Sequence, residues 1–370
     1  MNKVLALLYA NYTTWLLPFV PLGIVAGALG WSDPVVFVLN FCAIIPLAAL
    51  LGVATEDIAK SLGETLGGLL NATFGNAVEL IVSVIALLKG EIRIVQASML
   101  GSILSNILLV LGASFLAGGI TRYEQEFNST AATTLSSLMA VATSSLMIPA
   151  ALYATLPSSD SAHVTELVLK LSRGTAIVML ILYALCLLFQ LKTHVALFDD
   201  INNEEDDKPR ILTTMEGIFV LALITVVVSI CADYLVGSIE GLVETWNISK
   251  TFVGLIMIPV VGNAAEHMTA VMVAMNDKMN LAIGIAMGSG MQIAMLMTPV
   301  LVLLGWIKHQ PMSLHFQTFE TVILFISTYL SYHVIQDGKS NYLEGAMLIG
   351  MYLIIGVAFF VYPDNAAGGL

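Results

Sequence analysis

Two phrases in this chain place a carboxylate where a carboxylate is costly. Gly75-Asn76-Ala77-Val78-Glu79 and Gly262-Asn263-Ala264-Ala265-Glu266 both lie deep within apolar runs. An ionisable side chain at that depth in a membrane helix points to function, because its charge must be matched by an ion, a proton or a polar partner. Asn76 and Glu79 are three residues apart, as are Asn263 and Glu266, so on a helix each amide shares a face with its acid. Ser102 and Ser105 in Gly101-Ser102-Ile103-Leu104-Ser105 repeat that spacing, as do Ser289 and Gln292 in Gly288-Ser289-Gly290-Met291-Gln292. Gly75 and Gly262 weaken the helix just ahead of each acid, and Pro259 removes a backbone donor one turn before Glu266, so freed carbonyls join the set. Two carboxylates with amide, hydroxyl and backbone oxygens form a hard ligand set that suits calcium better than zinc or copper.

Other candidates read as structural. His267 adjoins Glu266 but points about 100° away on a helix, which suits a structural or tuning role. Glu64, Asp233, Glu240, Glu244, Glu320 and Glu344 fall near expected helix ends and read as solvated. The methionines from Met257 to Met297 read as packing, since neither calcium nor protons use a thioether. Asn128-Ser129-Thr130 matches a glycosylation sequon but falls on the side expected to be cytoplasmic, and is discounted.

The elements that must position these groups are membrane helices. Of 370 residues, 58% are hydrophobic and only 11% charged, against roughly 25% charged in a soluble domain. The mean hydropathy of +0.90 agrees. A net charge of −12 argues against a nucleic-acid partner, which needs a basic stripe. Cys42, Cys186 and Cys231 stand singly and suggest neither disulfides nor a zinc site. A crossing helix needs about 20 apolar residues. On that basis the expected spans are 14–31, 34–53, 62–88, 92–118, 129–153, 166–191, 212–236, 251–275, 281–306, 316–336 and 342–362. The fold class is therefore an all-α polytopic membrane protein with about 11 transmembrane helices. Eight Lys and Arg (Lys3, Lys60, Arg122, Lys192, Lys208, Arg210, Lys278, Lys339) fall on the N-terminal side and six (Lys89, Arg93, Lys170, Arg173, Lys250, Lys308) on the other. This bias favours a cytoplasmic N-terminus.

The chain repeats itself. Glu266 follows Glu79 by 187 residues, and Gly288 follows Gly101 by the same interval. Two separated motifs sharing one offset divide the chain into an N-terminal helix (1–33), a five-helix repeat (34–191), a linker (192–210) and a second five-helix repeat (211–370). Five spans is an odd number, so the repeats enter the membrane in opposite orientations. Inverted repeats of this kind are typical of secondary transporters, with the site near the midplane where the repeats meet.

The phrases Leu70-Asn71-Ala72-Thr73-Phe74-Gly75-Asn76-Ala77-Val78-Glu79, Gly101-Ser102-Ile103-Leu104-Ser105-Asn106 and Gly262-Asn263-Ala264-Ala265-Glu266-His267 resemble the cation/proton exchanger family, the Ca2+/H+ antiporter branch of the calcium/cation antiporter superfamily. The resemblance runs from about residue 15 to 362, and around 89–130 and 313–362 it is greatest to fungal vacuolar members. It implies a regulatory first helix, a vacuolar membrane, and calcium held between Glu79 and Glu266 with Asn76, Asn263, Ser105 and Gln292 nearby. Ca2+ and H+ would be the cargo and the lipid bilayer the surroundings, with no cofactor and no enzymatic reaction. Two rivals remain: a sodium-driven calcium exchanger, whose repeats carry Ser-x-Pro-Glu and Ser-x-Pro-Asp where this chain has Gly-Asn-Ala-x-Glu, and a calcium-permeable channel, which more often arises from symmetric subunits around one filter.

Between the repeats lie six acids, Asp199, Asp200, Glu204, Glu205, Asp206 and Asp207, in a cytoplasmic stretch that reads either as a solvated linker or as an acidic collar that gathers or senses divalent cations near a pore mouth and so modulates transport. Neutralising all six is expected to shift the apparent Ca2+ dependence of transport at low ionic strength and progressively less as salt screens the field. Flux titrations at two salt concentrations check this; complete loss of flux in a folded variant would contradict a modulatory role.

Overall fold

The computed structural model describes residues 12–62, 64–156, 161–198 and 211–362. The six acids of the linker and the side chain of Glu64 lie outside the described residues. Helices dominate: α1 (Phe19–Ala28), α2 (Asp33–Leu62), α3 (Glu64–Phe74), α4 (Ala77–Leu88), α5 (Ile92–Gly119), α6 (Ser129–Thr155), α7 (Ser161–Leu188), α8 (Thr214–Gly237), α9 (Ile239–Trp246), α10 (Lys250–Gly262), α11 (Ala264–Met275), α12 (Met279–Ile307), α13 (Thr318–Ile335) and α14 (Tyr342–Val361). A two-stranded antiparallel ribbon pairs β1 (Gln125–Glu126) with β2 (Lys339–Ser340).

Eight of these helices are long and apolar enough to cross a bilayer alone. The remaining expected crossings are made from shorter pieces. The segment over 62–88 is α3 and α4 with a break at Gly75 and Asn76, and the one over 251–275 is α10 and α11 with a break at Asn263. The interruptions fall where glycine precedes the acid in both repeats. Proline has a milder effect: Pro46 and Pro149 sit inside α2 and α6 without ending them.

Polar contacts sort the loops onto two faces. On one, Lys89 pairs with Asp233, Lys250 reaches Glu91 and Glu240, and Arg93 meets Glu320. On the other, Arg122 and Gln125 meet Asp277, Lys339 meets Glu124 and Glu126, and Asp57 accepts the backbone N–H groups of Ile211 and Leu212. The partition matches the odd number of crossings per repeat. Asn128 belongs to the second face, and its side chain caps α6 by accepting from Thr130 and Ala131. That role suits a helix start, not a glycan.

Helix pairing follows the pseudo-symmetry. The first helices of the two repeats, α2 and α8, pack on each other, as do their fourth helices, α6 and α13. The end of α5 packs on α14, and by the same exchange the end of α12 packs on α7. Gly112 and Gly345 allow the α5–α14 approach; a Cβ on Gly345 would lie 2.2 Å from the Leu116 nitrogen. In a bilayer, close backbone approach between small residues takes the place of hydrophobic drive.

One expectation needs correcting. Glu320, read as solvated, is fully buried. It receives both terminal nitrogens of Arg93, the nearer at 2.5 Å, and accepts from the Gln317 backbone at 2.9 Å. Its position three residues into α13 does suggest an end, but the 308–317 loop folds over it. Gln96, whose Nε2 donates to the carbonyls of Ser313 and His315, holds that loop down.

The repeats differ in one contact. The first half of α5 lies tightly against α10: a Cβ on Gly101 would lie 2.0 Å from the Leu255 carbonyl oxygen, and one on Gly254 would lie 2.8 Å from the Ala97 Cβ. At the equivalent positions, Gly67 packs instead on the Ala59 carbonyl and Gly288 has open space beside it. The helices therefore meet on the face of the 89–91 loop and stand apart on the opposite face. Gly101→Ala is accordingly expected to lower thermal stability in detergent. Gly288→Ala should leave it unchanged or raise it, since Ala gains about 0.5–1 kcal/mol over Gly in a helix. Equal effects in a thermal melt would contradict this asymmetry.

Candidate cation site

The breaks in the third and eighth crossings create the site. Because α4 begins at Ala77 and α11 at Ala264, Glu79 and Glu266 each stand in the first turn of a helix near the middle of a crossing. Unpaired N–H groups and the aligned peptide dipoles give that end positive character, which favours a negative side chain or an anion-stabilised ion pair there. Neither Asn76 nor Asn263 caps its helix with its side chain, so both amides remain available for other partners.

Glu79 is buried and leans across the pseudo-symmetry axis: a Cβ on Gly262 would lie 2.8 Å from Glu79 Oε1. Gly262 thus leaves room for the carboxylate of the other repeat, a use distinct from loosening the helix. Glu79 and Glu266 are near enough to influence each other's charge, and Ser289 also approaches Glu266. One side of Glu79 faces a narrow apolar cleft lined by Phe41, Ile44, Val82, Leu235 and Ile258 among others.

The neutral residues come together as the spacing suggests, but across the repeats and not within them. Asn76 Nδ2 donates to Gln292 Oε1 at 2.8 Å, and Asn76 Oδ1 accepts from Ser289 Oγ at 2.8 Å. Ser289 Oγ in turn accepts from Asn106 Nδ2 at 3.1 Å. Ser105 Oγ lies 3.0 Å from His267 Nε2. Asn76 therefore serves as a bridge from the break in the first repeat to α12. Its counterpart Asn263 is fully buried with neither side-chain polar atom partnered among the described residues. Glu266 Oε2, Ser102 Oγ and Asn106 Oδ1 share that condition. Buried polar atoms are nearly always satisfied in folded proteins, so such a collection beside two carboxylates marks a place for a polar ligand.

Both helices after the breaks contain a wide, π-helical turn, at Ser105–Val110 and Ile293–Met297, and α10 contains a third at Val253–Met257 just ahead of Pro259. Pro259 thus acts through the turn before it. Such turns recur at functional sites because they release backbone groups from the regular ladder. Asn106 is a member of the network that spacing alone overlooks, because its repeat counterpart is the apolar Ile293. A buried asparagine one residue beyond the Ser102–Ser105 pair was the available signal.

The chain can now be set beside known proteins. Residues 32–192 and 216–361 match the family model described as sodium/calcium exchanger protein. A vacuolar calcium ion transporter of Schizosaccharomyces pombe is 52% identical over 360 residues, covering 97% of this chain and 87% of that protein. A Ca2+/H+ antiporter of Aphanothece halophytica is 42% identical, covering 94% of this chain and 96% of that protein. The native YfkE structure superposes with a TM-score of 0.81 at 36% identity, covering 95% of this chain and 100% of that one.

The Asn76 bridge generates a direct expectation. Asn76→Ala leaves Gln292 and Ser289 without their partner in a dry interior, which costs about 1–3 kcal/mol. Thermal melts should show that loss, and Ca2+ flux should fall partially and not to zero, because no carboxylate is removed. An unchanged melt would mean that the bridge contributes nothing to holding α12 against the break.

Proposed function

The chain belongs to the sodium/calcium exchanger protein family, and we propose that within it this protein is a secondary antiporter moving Ca2+ out of the cytosol in exchange for H+. The names of its relatives, a vacuolar calcium ion transporter and a Ca2+/H+ antiporter, support those two ions as substrates. The observation that carries the mechanism is the placing of Glu79 and Glu266 in the first turns of helices inside the membrane, with Glu79 Oε1 reaching the Gly262 position of the other repeat and buried oxygens of Asn263 and Ser102 unpartnered among the described residues.

A carboxylate removed from water must have a proton, a cation or strong hydrogen bonds to offset its charge. Glu79 and Glu266 therefore hold either Ca2+ or protons. Ca2+ takes six to eight oxygens, so two carboxylates draw neutral ligands from Asn263, Ser102, Ser105, Ser289, Gln292 and the backbone carbonyls freed at the breaks. Asn76 orients Gln292 and Ser289 toward that task. When the site faces the acidic side, both acids take up protons and the cation loses its counter-charge. When it faces the cytosol, protons leave and Ca2+ enters. Because one site cannot hold both, exchange is obligatory. The short helices α3 and α10, each hinged at a break, are the pieces that close the two faces in turn. In this arrangement the N-terminus is cytoplasmic and the protein resides in a vacuolar membrane, with 199–207 in the cytosol.

Glu79→Gln and Glu266→Gln are nearly isosteric and neutral at every pH. Each variant should insert and fold, since a neutral amide in the membrane is less costly than a charge. Each should abolish pH-gradient-driven Ca2+ uptake in reconstituted vesicles in sodium-free buffer, because Gln neither releases a proton nor brings charge to the cation. In the wild type, protons compete with Ca2+, so the Ca2+ concentration for half-maximal uptake should rise as pH falls on the binding side. Near-normal uptake by either variant would remove that residue from the mechanism, and uptake driven by sodium but indifferent to pH would replace the proton.

A further inference from the structure

The helices α4 and α5 form a hairpin joined through residues 89–91, so their residues pair by depth. Glu79 stands level with Ser102. One turn nearer the loop, about 6 Å along the axis, Ser83 stands level with Ser98; Ser83 is seven residues before Gly90 and Ser98 eight after it. Ser83 is 1% and Ser98 2% exposed, and neither hydroxyl has a hydrogen-bond partner among the described residues. Thr55, Ser114 and Ser136, also buried in helices, turn back instead to the carbonyl four residues earlier, whereas Ser102 beside the acids and Ser327 in α13 share the unpartnered state among the described residues. A hydroxyl in a hydrocarbon-thick interior that gives up this local bond needs another partner.

The second repeat has no such pair. The positions equivalent to Ser83 and Ser98 are Ala270 and Ile285. The hydroxyls therefore extend the polar site in one direction only, toward the face on which α5 and α10 are in tight contact. Beyond them Ala86, Leu87, Ile94 and Val95 are buried and apolar, and Lys89, Glu91 and Arg93 mark the surface. The pair lies at the inner end of an apolar seal, so in this conformation it forms a dead end and not a path through the membrane.

From these observations we infer that Ser83 and Ser98 hold a water molecule one turn from Glu79, and that this water is the station through which Glu79 receives protons from the face of the 89–91 loop. The inference rests on the antiport reading above. Two hydroxyls and a carboxylate supply the two to four polar partners that a buried water needs. When α10 moves away from Ala97 and Gly101, the water is the first polar group reached from that face. A proton arriving on its oxygen makes it an oxonium; one O–H bond of that oxonium breaks as an O–H bond to the Glu79 carboxylate forms, leaving neutral water, while Ser83 and Ser98 hydrogen-bond to it and keep their own protons. On the opposite face α12 has open space beside Gly288, where α5 has α10 packed on Gly101. The pair stands one turn nearer the 89–91 loop than Glu79 and Ser102, outside the level of the proposed ligands, so it is placed for proton transfer and not for calcium binding.

The test separates two transport modes of the full-length protein in vesicles. Ca2+/H+ exchange requires proton loading, whereas Ca2+/Ca2+ exchange, measured with labelled calcium at equal pH on both sides, does not. In Ser83→Ala/Ser98→Ala the ratio of proton-coupled to Ca2+/Ca2+ flux should fall by roughly fivefold, the effect of one lost hydrogen bond on a rate. Ser83→Thr/Ser98→Thr, which keeps both hydroxyls, should restore it. A high-resolution structure should place an ordered water within hydrogen-bond reach of both hydroxyls. An unchanged ratio, an equal fall in both modes, a failure of the threonine variant to restore it, or hydroxyls turned back to the carbonyls of Glu79 and Ile94 would each overturn the inference. If the wild type itself showed no pH-driven Ca2+ uptake, the antiport reading would fail instead.

Discussion

A helix interrupted in the middle of a bilayer exposes N–H and C=O groups that no lipid can satisfy, and this constraint organises the rest of the molecule. The breaks at Asn76 and Asn263 are tolerable only because they are surrounded by other helices and polar side chains. At the first break the Asn76 side chain ties the chain to α12 by holding Gln292 and Ser289. The helices that follow the breaks point their positive ends at the midplane, and Glu79 and Glu266 stand in those first turns. The same breaks that would destabilise an isolated helix thus produce the local field that accommodates negative charge.

Pseudo-symmetry explains how two similar halves assemble one frame. Packing of α2 on α8 and of α6 on α13 is shared equally by the repeats, and forms a frame that both halves support. The hinged pieces depart from symmetry. α10 is locked onto α5 through glycine contacts, while α3 keeps away from α12. Two inverted copies of one sequence pattern can occupy two unlike conformations because each copy finds its partners at the opposite face.

Buried charge away from the site has a different purpose. Arg93 and Glu320 tie the start of α5 to α13, with Thr251 at the head of α10 within reach of the same guanidinium. A buried pair of this kind is weak evidence for net stability, but removing one partner is strongly unfavourable, so the pair specifies which helices lie together. It stands on the face where α5 and α10 are closed together, one helix end away from the hydroxyls of Ser98 and Ser83.

By itself, the sequence determined the class of fold with its inverted repeat and most of the long apolar helices, and it singled out Glu79 and Glu266 as candidates. Hydropathy over about 20 residues reports a membrane span directly, and an exact 187-residue interval between matched motifs survives without any knowledge of contacts. The helix interruptions were also legible, because glycine before the acid has a local cost wherever it sits. What only tertiary structure decided is how the neutral ligands are divided. Asn76 and Asn263 occupy equivalent positions, yet one bridges to α12 and the other has no partner among the described residues, because the helices beside the two breaks pack differently. Asn106, Ser83 and Ser98 escaped notice because they have no polar counterparts at the matched positions. Glu320 read as solvated because its place near a helix end is local information, whereas its burial depends on where a loop from far along the chain comes to rest. Periodicity and motif spacing act within a segment; partner choice is set by geometry between segments, and that geometry is not written in any one of them.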